Sequence, residues 1–154
     1  MSYETISVDT QEAVATITMN RPEARNAMNR QLRTEVRQAV DALNADDSVR
    51  VIVLAANGAG FCAGTDLMER DADADRNGYV TDMLRQEYHT LMEAIGKGDK
   101  PVVAAVNGAA AGIGASLALV CDMIVMAEDA FFYSAFGAIS LIPDGGLHKH
   151  LLTS

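Results

Sequence analysis

Residues 61–67 read Phe61-Cys62-Ala63-Gly64-Thr65-Asp66-Leu67, and residues 107–114 read Asn107-Gly108-Ala109-Ala110-Ala111-Gly112-Ile113-Gly114. Each follows a short apolar run, Val51 to Leu54 in the first case and Val102 to Val106 in the second. A run of that length bounded by turn residues reads as a buried strand. Small residues therefore sit where a buried strand meets a helix. Such a turn lets a ligand approach the backbone closely, and a helix N-terminus leaves several N–H groups unpaired. Two of these groups facing one point would form an oxyanion hole, a pair of donors for a polarised carbonyl. Taken alone, either turn is better explained by close packing of helix on strand. Neither ends in Gly-Lys-Ser/Thr nor carries Gly-x-Gly-x-x-Gly, so a nucleotide-phosphate fingerprint is absent.

Outward from these turns, the pattern alternates between strands and helices. Ile6 and Val8, then Val14, Thr16, Ile17 and Met19, predict two strands joined through Gln11-Glu12. Asn20-Arg21-Pro22 stops the second, because proline cannot donate to a ladder. Leu32, Val36, Val40 and Leu43 recur at helical spacing behind Asn29, a suitable N-cap. Val80, Met83, Leu84, Tyr88, Leu91, Met92 and Ile95 mark a second amphipathic helix, ended by Gly96 and Gly98. Ala115 to Val120 predicts a helix apolar on every side, and Met123 to Met126 and Phe131 to Tyr133 predict short strands. This alternation implies an α/β fold with a largely parallel sheet, and no repeat or linker divides residues 1–154.

The composition narrows the class further. With 154 residues the chain fits one domain that can bury a core. Its 49% hydrophobic against 21% charged residues argues against disorder. The longest apolar stretch, Ile113 to Val120, falls far short of the roughly 20 residues of a membrane span. Met1-Ser2-Tyr3-Glu4 has neither the basic start nor the apolar segment of a secretory signal. Cys62 and Cys121 fit no zinc spacing and no disulfide framework, so a reduced, cytoplasmic setting is expected. The net charge of −9 argues against a nucleic-acid partner. An anionic ligand must then be held by a local cluster and by backbone N–H groups.

The two turns together, in this order and at this separation, closely resemble the two oxyanion-hole segments of the crotonase superfamily, the enoyl-CoA hydratase/isomerase family. Met19-Asn20-Arg21-Pro22-Glu23-Ala24-Arg25-Asn26-Ala27-Met28 resembles the family's strand and turn beside the CoA site. Cys121-Asp122 and Ile142-Pro143-Asp144-Gly145-Gly146 also fall in place. The resemblance runs from about Tyr3 to the last residues. It implies a crotonase-like spiral of ββα units that lacks the C-terminal helices, hence a truncated core whose activity needs the rest of the fold. It assigns the donors to the backbone N–H groups of Thr65, after Gly64, and of Ile113, after Gly112. Ile113 departs from the glycine frequent at that point and would narrow the acyl pocket. The CoA moiety is expected along Ala24, Arg25, Ala63, Asp66 and Leu67, with Arg25 as the phosphate partner. Asp66 is expected on the first turn of a helix, stabilised by its dipole and structural rather than catalytic. The family implies an acyl-CoA partner, with coenzyme A part of the substrate and no separate cofactor or metal, and a homo-oligomer, a trimer or hexamer.

A thioester polarised in this way still needs a positioned acid or base. Hydratases of this family use two glutamates, and their positions correspond to Ser116 and Phe136 here, so both carboxylates are missing. Asp144 remains. Its position matches the acidic residue of some dienoyl-CoA isomerases, of ring-epoxide isomerases acting on aryl-acetyl-CoA, and of an aryl-CoA dehalogenase. Apolar neighbours such as Phe136, Ile139 and Leu141 would desolvate it and raise its pKa. A turn aspartate before Gly-Gly, chosen for local hydrogen bonding, is the plainer alternative. His89, His148 and His150 are expected at the surface. Three readings stay open: an isomerase working through Asp144, a hydratase without its glutamate pair, and a non-catalytic acyl-CoA-binding subunit.

Overall fold

The alternation at the start of the chain closes into a hairpin. In the computed structural model, which describes residues 3–69 and 76–153, β1 (Ile6–Gln11) pairs antiparallel with β2 (Val14–Met19). Glu12 turns the chain between them in the left-handed region, at φ 54°. β2 continues into a parallel array with β3 (Val51–Ala56), β5 (Val102–Val106) and β7 (Met123–Met126), in the order β1-β2-β3-β5-β7.

A second, three-stranded parallel sheet is built from β4 (Gly60–Cys62), β6 (Ala109–Ala111) and β8 (Phe132–Tyr133). From β3 onward, each repeat adds one strand to the large sheet, one to the small sheet, and then helix. β3 and β4 lead to α2 (Tyr79–Met83), a π-helical stretch (Leu84–Tyr88) and α3 (His89–Gly96). β5 and β6 lead to α4 (Ile113–Leu119), and β7 and β8 to a 3₁₀ turn (Ala135–Ile139) and α5 (Leu147–Thr153). The expected run of ββα units is what the chain forms. The two small-residue segments, expected as plain turns, begin instead as strands of the small sheet. Three residues are too few to show an alternation of two.

α1 (Arg30–Asn44) starts where expected, with the Asn29 side chain accepting the Leu32 N–H at 2.9 Å. Leu32, Val36, Ala39, Val40 and Leu43 form its buried face and cover the large sheet together with Leu91 and Ile95 of α3. β3 is not buried on both sides: Ile52 and Leu54 are in the core, whereas Val51 and Val53 are half-buried. α4 is buried at all seven positions, which accounts for its lack of a polar face. The Cys62 and Cys121 thiols are buried and donate to the carbonyls of Asn26 and Leu117. Burial pushes both up to about 12, so neither is a ready nucleophile.

Candidate active site

The first turn is strapped to the chain before α1. Met28 N–H donates to the Gly64 carbonyl at 2.7 Å, Asp66 N–H to the Met28 carbonyl at 3.2 Å, and Ala63 N–H to the Arg25 carbonyl at 3.0 Å. In a trans peptide the C=O and N–H point in opposite directions. Holding the Gly64 carbonyl toward Met28 therefore turns the Thr65 N–H away from Met28. In the second turn, Gly112 N–H donates to Tyr133 at 2.9 Å, and the Gly112 carbonyl accepts Ala115 and Ser116 at 3.0 and 3.3 Å. The same rule directs the Ile113 N–H out of the start of α4. The N–H groups of Thr65 and Ile113 take part in none of these bonds.

The two turns lie against each other. Gly64 has φ 99°, and a Cβ placed on it would stand 3.0 Å from the Ala111 carbonyl oxygen and 3.8 Å from the Ile113 nitrogen. Only glycine combines that conformation with that clearance. Arg25 and Ala63 border a cleft of about 350 Å³ beside this junction, closed by Ala111 and Tyr133. Arg25 is exposed and left-handed, at φ 51°, while Ala24 is half-buried and Leu67 is 86% exposed. Asp66 differs from expectation. It lies in a non-helical segment, so no helix dipole acts on it. Its carboxylate instead accepts Arg21 Nη1 at 3.0 Å and the Met68 N–H at 3.0 Å, which makes it a structural tie.

The loop that carries Asp144 meets the start of α4. A Cβ on the adjacent Gly145 would fall 2.4 Å from Ile113 Cδ1 and 2.8 Å from Ser116 Cβ, so this loop presses on the start of α4. The Ser116 hydroxyl donates to the Asp144 carbonyl at 3.0 Å. Asp144 Oδ1 is buried and has no hydrogen-bond partner among the described residues. Burial pushes the Asp144 carboxyl above its usual range, and its own backbone N–H offsets only part of that. Of the apolar residues expected around it, Leu141 is 57% exposed, and the Ile139 side chain, like that of His150, lies outside the described residues. Leu84, Tyr88, Met92 and Val120 share the groove of about 590 Å³ that Asp144 lines. Phe136 is buried, its Cζ 4.0 Å from where a Cβ on Gly112 would sit. No second carboxylate therefore comes from positions 116 or 136. His89 and His148 are exposed, and among the described residues no group of three metal-ligating side chains occurs.

A family model, enoyl-CoA hydratase/isomerase, matches residues 9–153. The chain belongs to the enoyl-CoA hydratase/isomerase family. It is 44% identical over 146 residues to a probable enoyl-CoA hydratase of Rhodobacter capsulatus, covering 95% of this chain and 55% of the relative. It is 39% identical over 139 residues to the 1,2-epoxyphenylacetyl-CoA isomerase of Escherichia coli, covering 88% of this chain and 52% of the relative. A solved structure of an enoyl-CoA hydratase/isomerase-family protein from Mycobacterium abscessus superposes with a TM-score of 0.88 at 37% identity. That superposition covers 96% of this chain and 58% of the other. The chain thus spans about half the length of the curated relatives it matches. Among the described residues, no helix is long and apolar enough to cross a membrane.

Within this family member, one set of residues at the site escaped the reading of the sequence. Arg33 is 1% exposed, and it bonds Glu87, Glu69 and the Tyr88 hydroxyl, which in turn reaches Thr65 Oγ1. A signal was present: Arg33 stands three residues before Val36 and seven before Val40, on the edge of the apolar stripe. Tyr88 was legible only as one more apolar member of its helix.

Proposed function

We propose that this family member is an acyl-CoA isomerase in which Asp144 moves the proton. The Thr65 and Ile113 N–H groups receive the thioester oxygen as it gains charge. Asp144 takes a proton from the carbon next to that carbonyl, leaving an enolate conjugated with the neighbouring unsaturation, and returns it at the far end of that system. A double bond or ring moves, and no atom is gained or lost. Coenzyme A arrives as part of the substrate, and no further cofactor is called for. The observation that carries this reading is the buried Asp144 Oδ1, without a hydrogen-bond partner among the described residues, in a loop whose Gly145 packs on Ile113, with no carboxylate at Ser116 or Phe136. A base poised above the usual carboxylate range suits proton transfer near neutral pH. The likeness to an epoxyphenylacetyl-CoA isomerase supports isomerisation over hydration. Exposed Met123, Val125, Leu151 and Leu152 support assembly of copies, as a trimer or hexamer. The two protonated, buried thiols suit a reducing cytoplasm.

The test is Asp144→Asn in the full-length protein. Isomerisation of a β,γ-unsaturated hexenoyl-CoA should fall roughly 10²- to 10⁴-fold, while calorimetry finds acyl-CoA affinity nearly unchanged. Hydration of crotonyl-CoA by the parent should be slow, since Ser116 and Phe136 cannot jointly activate a water. Brisk hydration, or a fully active Asp144→Asn variant, would show that another residue carries the chemistry.

A further inference from the structure

The side chains around Thr65 form one connected cluster that ties the first turn to α1 and to the π-helical stretch. Arg33 Nε and Nη2 donate to Glu87 Oε2 at 2.9 and 2.6 Å, and Nη1 donates to Glu69 Oε2 at 3.1 Å. The same Nη1 reaches the Met28 carbonyl at 2.8 Å and the Tyr88 hydroxyl at 3.2 Å, with the guanidinium carbon 4.8 Å from the centre of the Tyr88 ring. The Tyr88 hydroxyl, 2% exposed as a residue, faces Thr65 Oγ1 at 3.0 Å and the Met28 carbonyl at 3.3 Å. Three of these contacts, those of Arg33 and Tyr88 to the Met28 carbonyl and of Tyr88 to Thr65 Oγ1, end on the strap that aims the Thr65 N–H.

Three features separate this cluster from ordinary core packing. A buried ion pair contributes little to stability compared with apolar side chains of the same volume, so stability alone does not call for it here. Arg30 Nε also donates to Glu87 Oε1 at 3.0 Å, so two guanidiniums face two carboxylates, and the cluster supplies order more than a net field at the carbonyl. Arg33 also donates to the Tyr88 oxygen, and that polarises the hydroxyl and makes it a stronger donor. The π-helical widening falls at Leu84–Tyr88, where Glu87 and Tyr88 both reach into the cluster.

We propose that Tyr88, held by Arg33, is a positioning residue that fixes the Thr65 turn and so sets the strength of the oxyanion contact. This rests on Thr65 N–H being one of the two donors. The Thr65 side chain is the handle by which Tyr88 grips a donor that is itself main chain. Tyr88→Phe keeps the ring over Arg33 and removes the grip, together with the hydroxyl's contacts to Arg33 and the Met28 carbonyl. Thr65→Val keeps the shape and the N–H and removes the other half of the same bond.

The readout is the enolate absorbance of bound acetoacetyl-CoA, because an oxyanion contact favours the enolate over the ketone. Loss of one hydrogen bond should lower the bound enolate-to-ketone ratio roughly three- to tenfold in either variant, with affinity for CoA alone unchanged. The double variant should be no worse than the weaker single, since both remove one bond, and Thr65→Ser should restore the ratio. An unchanged ratio in both singles, or additive losses in the double, would overturn the positioning role while leaving the oxyanion reading intact. Absence of any enolate signal from the parent would instead defeat the oxyanion reading and this proposal with it.

Discussion

Arg25 shows how much of this site is carried by single residues. It adopts φ 51°, and its carbonyl holds the Ala63 N–H at 3.0 Å, so its side chain leaves the backbone at the rim of the cleft. Lysines are scarce, only Lys97, Lys100 and Lys149 in the sequence, and the net charge is −9. In the full-length protein Arg25→Ala should therefore weaken CoA binding by about 1.5–3 kcal/mol, the range for a hydrogen bond to a charged group. The loss should shrink at high salt, where phosphate contacts are screened. Calorimetric titration with CoA at low and high salt checks this, and equal affinities for parent and variant would remove Arg25 from the site. At this scale the glycines and main-chain donors were legible because a turn that binds through its backbone leaves a mark in side-chain size. Arg33 and Glu87 were not, since a charged residue on an amphipathic helix ordinarily faces water and only the tertiary structure buries it.

Among the elements, α1 is the one to test because it carries Arg33 and its N-cap, Asn29, follows the strap residue Met28 directly. Its N-cap is one bond, the Leu32 N–H to Asn29 Oδ1 at 2.9 Å. Asn29→Ala should cost about 1 kcal/mol of unfolding free energy, seen as a lower urea midpoint at unchanged slope. A midpoint equal to that of the parent would mean that water caps the helix as well as Asn29 does. The long elements were legible for the same reason that such caps are: α1 and the helix ending at Gly96 run through several turns, enough for the apolar positions to repeat. β4 and β6 span three residues each, held by the ladders of the small sheet rather than by any pattern of their own, whereas β8 falls within the strand expected at Phe131 to Tyr133. Asp66 followed the same logic in reverse. A carboxylate after a glycine turn suggested a helix start, but Arg21, 45 residues earlier in the chain, supplies its partner.

For the molecule as a whole, two buried carboxylates should bend the pH dependence of stability in opposite directions. Asp144 is raised by burial, so the folded state binds its proton more tightly than the unfolded chain does. Stability from this group is fully present below the unfolded value of about 3.9 and is lost as pH rises through the raised folded pKa. Glu35 is also pushed up by burial, but hydrogen bonds from Thr5, Glu4 and Gln31 outweigh this and hold it below the usual range. Its contribution is present above the unfolded value of about 4.3 and is lost as pH falls through the lowered folded pKa. Asp144→Asn should thus raise the melting temperature at neutral pH, with the gain fading as pH falls toward the ordinary aspartate range. Glu35→Gln should lower the melting temperature at neutral pH, with the deficit fading in acid. Thermal melts of parent and both variants across a pH series give the two difference curves. If the Asp144→Asn difference were flat with pH, it would report packing rather than ionisation, and Asp144 would lose its claim to be a strained, functional carboxylate. The gain at neutral pH together with lost isomerisation would mark Asp144 as a group whose ionised form costs stability and serves the reaction.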